Sequence, residues 1–164
     1  MKVVIVTSPS FPSWSLSLDL FTFESYESLE QSSLSSLQQV KPNASASDLK
    51  FTNHHLFDLP PITSNEFWEF VREYNELSPK EAEIVDVWLA NNKFSLAGSA
   101  QAILHSFVSE FDSVCEYAKE LYEYEIDERF HPYVDWGSLG YNSIDEDQNV
   151  YLSYSRVYRF TNID

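Results

Sequence analysis

The chain has 164 residues, room for one or two small domains with a buried core, and its 43% hydrophobic and 16% aromatic content argues against disorder. With 26 acidic against 10 basic side chains, the formal net charge is −16. That balance argues against direct nucleic-acid binding and against an anionic membrane surface, both of which require Lys and Arg, and it favours a basic partner.

Cys115 is the single cysteine, so no intrachain disulfide can form and a reducing compartment is expected. The opening "MKVVIVTSPSFPSW" holds too short an apolar run for a signal peptide or a membrane span, and a cytoplasmic protein is expected.

In chain order, Lys2 to Thr7 is a β-branched run that predicts a strand. "LSLDLFTF" (16–23) alternates, with Leu16, Leu18 and Leu20 on one face. Ser28 to Gln39 carries Leu29, Leu34 and Leu37 near helical spacing among serines, which fits a weak helix or an unstructured loop. "LKFTNHHLF" (49–57) is a candidate third strand. Pro60-Pro61 breaks the chain, and Thr63 with Glu66 three residues on predicts a capping box. Phe67, Phe70, Val71, Tyr74 and Leu77 then follow at helical spacing. Ser78, Pro79 and Glu81 repeat the start signal, with Ala82, Val85, Trp88 and Leu89 inward and Asn91-Asn92 ending the helix. "FSLAGSAQ" is a loop or a short helix. "AILHSFV" (102–108) is a candidate strand; a helix is expected over Asp112 to Tyr124 and a shorter one around Tyr133 to Tyr141. "VYLSYSRVYRF" (150–160) closes the chain as two short strands or one long one. The order is α+β, in three small modules: 1–59 a small sheet with a helix, 60–100 helical, and 101–164 mixed.

The acid belongs to the last two-thirds. Glu66, Glu69, Glu73 and Glu76 line the first helix of the middle module, and Glu81, Glu83 and Asp86 the second, against Arg72 and Lys80. Twelve more carboxylates follow between 110 and 147, against Lys119 and Arg129. On a helical wheel Val114, Tyr117, Ala118, Leu121 and Tyr122 face inward, while Asp112, Glu116, Glu120 and Glu123 line the outside. Like charges at this spacing cost about 0.2–0.5 kcal/mol per pair. Glu110, Glu125, Asp127, Glu128 and Asp135 continue the charge, and Asp145, Glu146 and Asp147 end it. A solvated face explains one such helix; the repetition in several makes the carboxylates candidates for the functional surface.

No catalytic constellation stands out, and no enzyme, cofactor or metal is expected. "DEDQN" (145–149) opens like a calcium loop, but Val150 replaces the required glycine and Arg156 the required glutamate. His54 and His55 point to opposite sides of a strand. Cys115 falls near the helix's inner face and reads as a small buried hydrophobe.

"FVSEFDSVCEYAKELYEYEIDERFHPYVDWGSLGYN" resembles the C-terminal part of the ArdA antirestriction family. The likeness rests on Glu110-Phe111-Asp112, the acidic helix through Glu123, Tyr133-Val134-Asp135-Trp136, and Gly140 four residues later. The order of the remainder is similar too, with "LFDLPPITSNEFWEF" leading into an acidic helical module. Tyr141-Asn142 stands where the family has Arg-Asp.

The resemblance implies an elongated DNA mimic whose carboxylates imitate duplex phosphates in the DNA-binding groove of a type I restriction–modification enzyme. It also implies a homodimer joined through the last module, where Phe130, Tyr133, Trp136 and Tyr141 are candidate interface residues. Mimicry against a CRISPR effector or another DNA-binding protein, and an acidic adaptor for a basic protein, are the alternatives.

Overall fold

The computed structural model describes residues 3–54 and 59–163. The chain is α+β, with two separate three-stranded antiparallel sheets, and it divides into two compact units. The first comprises Met1–Leu77 with Lys93–Ala100, the second Ser78–Asn92 with Gln101–Asp164. The helical module expected at 60–100 is therefore shared out, its first helix falling in one unit and its second in the other.

In the first unit β1 (Val3–Thr7) is central between β2 (Ser15–Asp19) and β3 (Lys50–His54), with Ile5 opposite both Ser17 and Thr52. Lys2 and residues 55–57, also expected in strands, lie outside the described residues, as does His55. The period-2 pattern of β2 holds: Leu16 and Leu18 pack against the core, and Leu20 continues the face from a 3-10 turn.

The serine-rich stretch is a full helix, α1 (Tyr26–Gln38). Ser25 and Ser28 cap its start reciprocally, and the buried Ser33 satisfies its hydroxyl by donating to the Leu29 carbonyl at 2.8 Å. Those local bonds let serines occupy a helix that intrinsic propensity alone disfavours. Leu29 meets Val4, Val6, Leu20, Ile62, Phe67, Trp68 and Val71 in the core, the last three from α2 (Asn65–Asn75). The cap of α2 is Ser64, which accepts from the Phe67 amide at 3.2 Å, and not Thr63. Trp68 is buried because its indole N–H donates to the Ile62 carbonyl at 2.6 Å, anchoring the incoming chain.

In the second unit, α3 (Pro79–Asn91) begins at the expected Ser78–Glu81 capping box. Its apolar face is wider than expected, since Ile84 and Val87 are buried beside Val85, Trp88 and Leu89. The stretch expected as a strand at 102–108 is mostly α4 (Ala100–Ser106), and β4 runs from Phe107 to Phe111. Ile103 is wholly buried on α4, so tertiary packing overrides the local β-like composition. β5 (Val150–Ser153) and β6 (Arg156–Phe160) form a hairpin, giving the sheet order β4-β6-β5. Its two-residue loop places Tyr154 at φ 57°, a left-handed backbone that favours glycine.

Helix α5 is shorter than expected, Val114–Tyr122, because the Ser113 hydroxyl caps it by accepting from the Glu116 amide. Asp112 thus precedes the helix and Glu123 is its C-cap. A 3-10 turn over Glu128–Tyr133 leads to α6 (Trp136–Glu146), which extends five residues past the expected end. The two helices approach so closely that a Cβ on Gly140 would lie 2.4 Å from the Val114 carbonyl oxygen. That contact requires glycine.

Candidate interaction surface

The carboxylates fall into groups that the fold uses differently. On α2, Glu66, Glu69 and the C-cap Glu76 are exposed, whereas Glu73 is half-buried and accepts at 2.9 Å from the amide of Ala100, also in the first unit. Glu81 serves the capping box of α3, and hydrogen bonds from the Ser78 hydroxyl and amide hold its carboxyl below the usual range. Asp86 is half-buried on the same helix.

Lys80 and Arg156 gather three further carboxylates into a clamp between α3 and the β4–β6 sheet. Lys80 pairs with Glu83 at 3.4 Å and also with Glu110. Arg156 reaches Glu110 at 2.8 Å, Asp112 at 3.8 Å and Glu83 at 3.9 Å. Beneath them the buried Tyr158 donates its hydroxyl to Glu83 Oε1 at 2.5 Å, with the Lys80 ammonium 5.5 Å from its ring. Burial, and then the bond to Glu83, push the Tyr158 phenol up to about 12. The same bond, foremost, holds Glu83 below its ordinary range. Neither composition nor spacing signals this cluster, because its members come from three elements.

Around α5 the picture reverses. Glu116 accepts from the Asp112 amide at 3.0 Å, but Glu120, Glu123, Glu125 and Glu128 are exposed and pair with no cation among the described residues. Asp127 is held by Arg129 through two bonds of 2.9 and 2.7 Å, which lower its carboxyl. Asp135 caps α6 by accepting from the Ser138 amide and hydroxyl, and is likewise lowered. Asp145 and Glu146 are exposed in the last turn of α6, which carries no basic residue, and Asp147 turns the chain by accepting from the Asn149 amide. Acid at that end opposes the helix dipole at a cost of about 0.3–1 kcal/mol each.

Of the aromatic candidates, Phe130, Tyr133 and Tyr141 are exposed, while Trp136 is half-buried with its ring edge-on to His131 at 5.6 Å. Tyr124 is 97% exposed, an aromatic that sequence reasoning passed over because it follows the helix it was counted with. Cys115 is exposed, not inward: the helix starts at Val114, and that register turns residue 115 away from the face formed by Val114, Tyr117 and Ala118. Among the described residues no three His, Cys, Asp or Glu side chains converge as a metal site. The chain matches no family model, no curated protein and no solved structure.

Proposed function

We propose that this protein is an acidic DNA mimic that inhibits a DNA-binding defence enzyme by occupying its DNA groove, with a type I restriction–modification enzyme as the target. The observation that carries the reading is the set of exposed carboxylates without cation partners among the described residues, in both units: Glu66, Glu69 and Glu76 in the first, Glu120, Glu123, Glu125, Glu128, Asp145 and Glu146 in the second. Arg and Lys side chains placed for phosphate oxygens can donate the same charge-assisted hydrogen bonds to carboxylates. Repulsion along α2 and α5, and the acid at the end of α6, make the free protein less stable than it could be; a basic groove relieves that repulsion on binding. The ArdA-like order of motifs supplies the target class. The proposed assembly is a homodimer through the second unit, with a particle heavier than 19.0 kDa at micromolar concentration in sedimentation.

The test adds the purified protein to a type I enzyme with labelled DNA. Cleavage should stop at stoichiometric protein, and DNA and protein should exclude one another. A ternary complex of enzyme, DNA and this protein would replace mimicry with adaptor binding.

A further inference from the structure

The exit of α5 holds an open cavity of about 360 Å³ lined by Glu123, Tyr124, Glu128 and His131. The His131 ring is fixed by donation from Nε2 to the Ile126 carbonyl at 2.8 Å. Tyr124 stands at the rim with its ring in solvent, and Glu123 and Glu128 meet no cation among the described residues. Two free carboxylates beside an unstacked aromatic face suit a planar cation, which can take hydrogen bonds at its edge and stack through its plane.

The segment already holds one such cation of its own. The Arg129 guanidinium is bonded to Asp127 at 2.7 Å and lies 6.0 Å from the Phe130 ring centre, carboxylate at its edge and aromatic beside it.

We infer that the cavity formed by Glu123, Tyr124, Glu128 and His131 receives an arginine side chain of the partner, selecting arginine over lysine. This deepens the mimicry reading by naming the side chain that the partner brings. It adds a contact that phosphate imitation alone does not require, because the Tyr124 ring distinguishes a flat guanidinium from a compact ammonium.

Fluorescence anisotropy with labelled octa-arginine and octa-lysine peptides, at one ionic strength, tests it directly. The arginine peptide should bind the natural protein about two- to fivefold more tightly. Tyr124→Ala should erase that preference and leave the two peptides equal, while Tyr124→Phe, which keeps the ring, should retain it. The double change Glu123→Gln and Glu128→Gln should weaken both peptides. Equal affinity of the natural protein for both peptides overturns the inference, as does a preference that survives Tyr124→Ala. A sedimentation change in Tyr124→Ala would assign the cavity to a second copy and also overturn it. Peptide preference without enzyme inhibition strikes the mimicry reading alone; inhibition without peptide preference strikes this inference alone.

Discussion

Two regions of the second unit use the same residue types to opposite ends. In the clamp, Glu83 and Glu110 each lie within 4 Å of both Lys80 and Arg156, and Tyr158 donates to Glu83 from below. At the exit of α5, Glu120, Glu123, Glu125 and Glu128 form no ion pair among the described residues. The first set joins α3 to a sheet and spends its charge inside the molecule. The second keeps its charge for solvent or for a partner. A carboxylate count therefore overstates the interaction surface. Glu73, Glu81, Glu83, Glu110, Asp112, Glu116, Asp127, Asp135 and Asp147 are occupied within the fold, and the proposed surface is the exposed set without a cation partner among the described residues.

The largest effect should come from removing the free set. Changing Glu66, Glu69, Glu76, Glu120, Glu123, Glu125 and Glu128 together to Gln should lower affinity for the target about 100-fold, from a few tenths of a kcal/mol at each exposed contact. Thermal stability should hold or rise as like-charge repulsion disappears. Undiminished inhibition by that variant would place function outside the free carboxylates. Raising ionic strength from low to about twice physiological should cost the natural protein about tenfold in affinity, since each partner presents dense opposite charge within a Debye length of roughly 8–10 Å. A flat salt response would point to an apolar docking site.

The clamp should answer in the other currency, stability. Tyr158→Phe removes a buried hydroxyl from Glu83 and should lower unfolding free energy by about 1 kcal/mol. Affinity for the target, measured well below the melting transition, should stay the same. A variant that loses binding while keeping its stability would erase the distinction between the two regions.

That distinction was only half legible in the chain. The starts of α2 and α3 announce themselves through Ser, Pro and Glu within four residues, although the cap of α2 falls one residue later than the Thr63–Glu66 pairing implies. The inward face of α5 follows from the 3.6-residue period, and Val114, Tyr117 and Ala118 are buried as that period requires. Period fails where burial is decided from afar. "AILHSFV" has the composition of a strand, yet Ile103 is buried from a helix. The clamp is out of reach for the same reason, since Lys80, Glu110 and Arg156 are remote in sequence and meet only once the β4–β6 pairing and α3 are in place. Free and occupied carboxylates look alike until then.

The clamp also sets pH limits on the fold. Tyr158 titrates above its ordinary value of 10.0, at about 12 in the folded protein, so the fold favours the neutral phenol. Its contribution is fully present below pH 10 and is lost as pH rises toward 12. Glu83 moves the opposite way, below its ordinary 4.5, so its contribution is present above that pH and is lost as pH falls through the lower folded value. Unfolding midpoints followed across pH should show both limbs, and Tyr158→Phe should shrink the alkaline one, leaving the part carried by Tyr117 and Tyr26, whose phenols burial also pushes up. An alkaline limb of unchanged size in the variant would assign it to those other groups.

The smallest expected effect separates collective from catalytic use of acid. Glu120 is exposed, makes no ion pair among the described residues and sits one turn after Glu116 on α5. Glu120→Gln keeps the shape of the side chain and removes one charge among many. Its effect on stability should stay within about 0.5 kcal/mol, as for most surface substitutions. Its effect on inhibition should be less than about fivefold, because one exposed ion pair contributes at most about 1 kcal/mol and usually less. An enzyme behaves otherwise: one carboxylate acting as acid, base or nucleophile carries most of the rate, and its isosteric replacement leaves a folded, inactive protein. Single Gln variants at Glu66, Glu69, Glu120 and Glu128, each assayed for target inhibition and melting temperature, make the comparison position by position. Near-uniform small losses fit a surface read as a whole by a basic groove. Abolition of activity by one of them, with the melting temperature unchanged, would mark that residue as catalytic and end the mimicry reading.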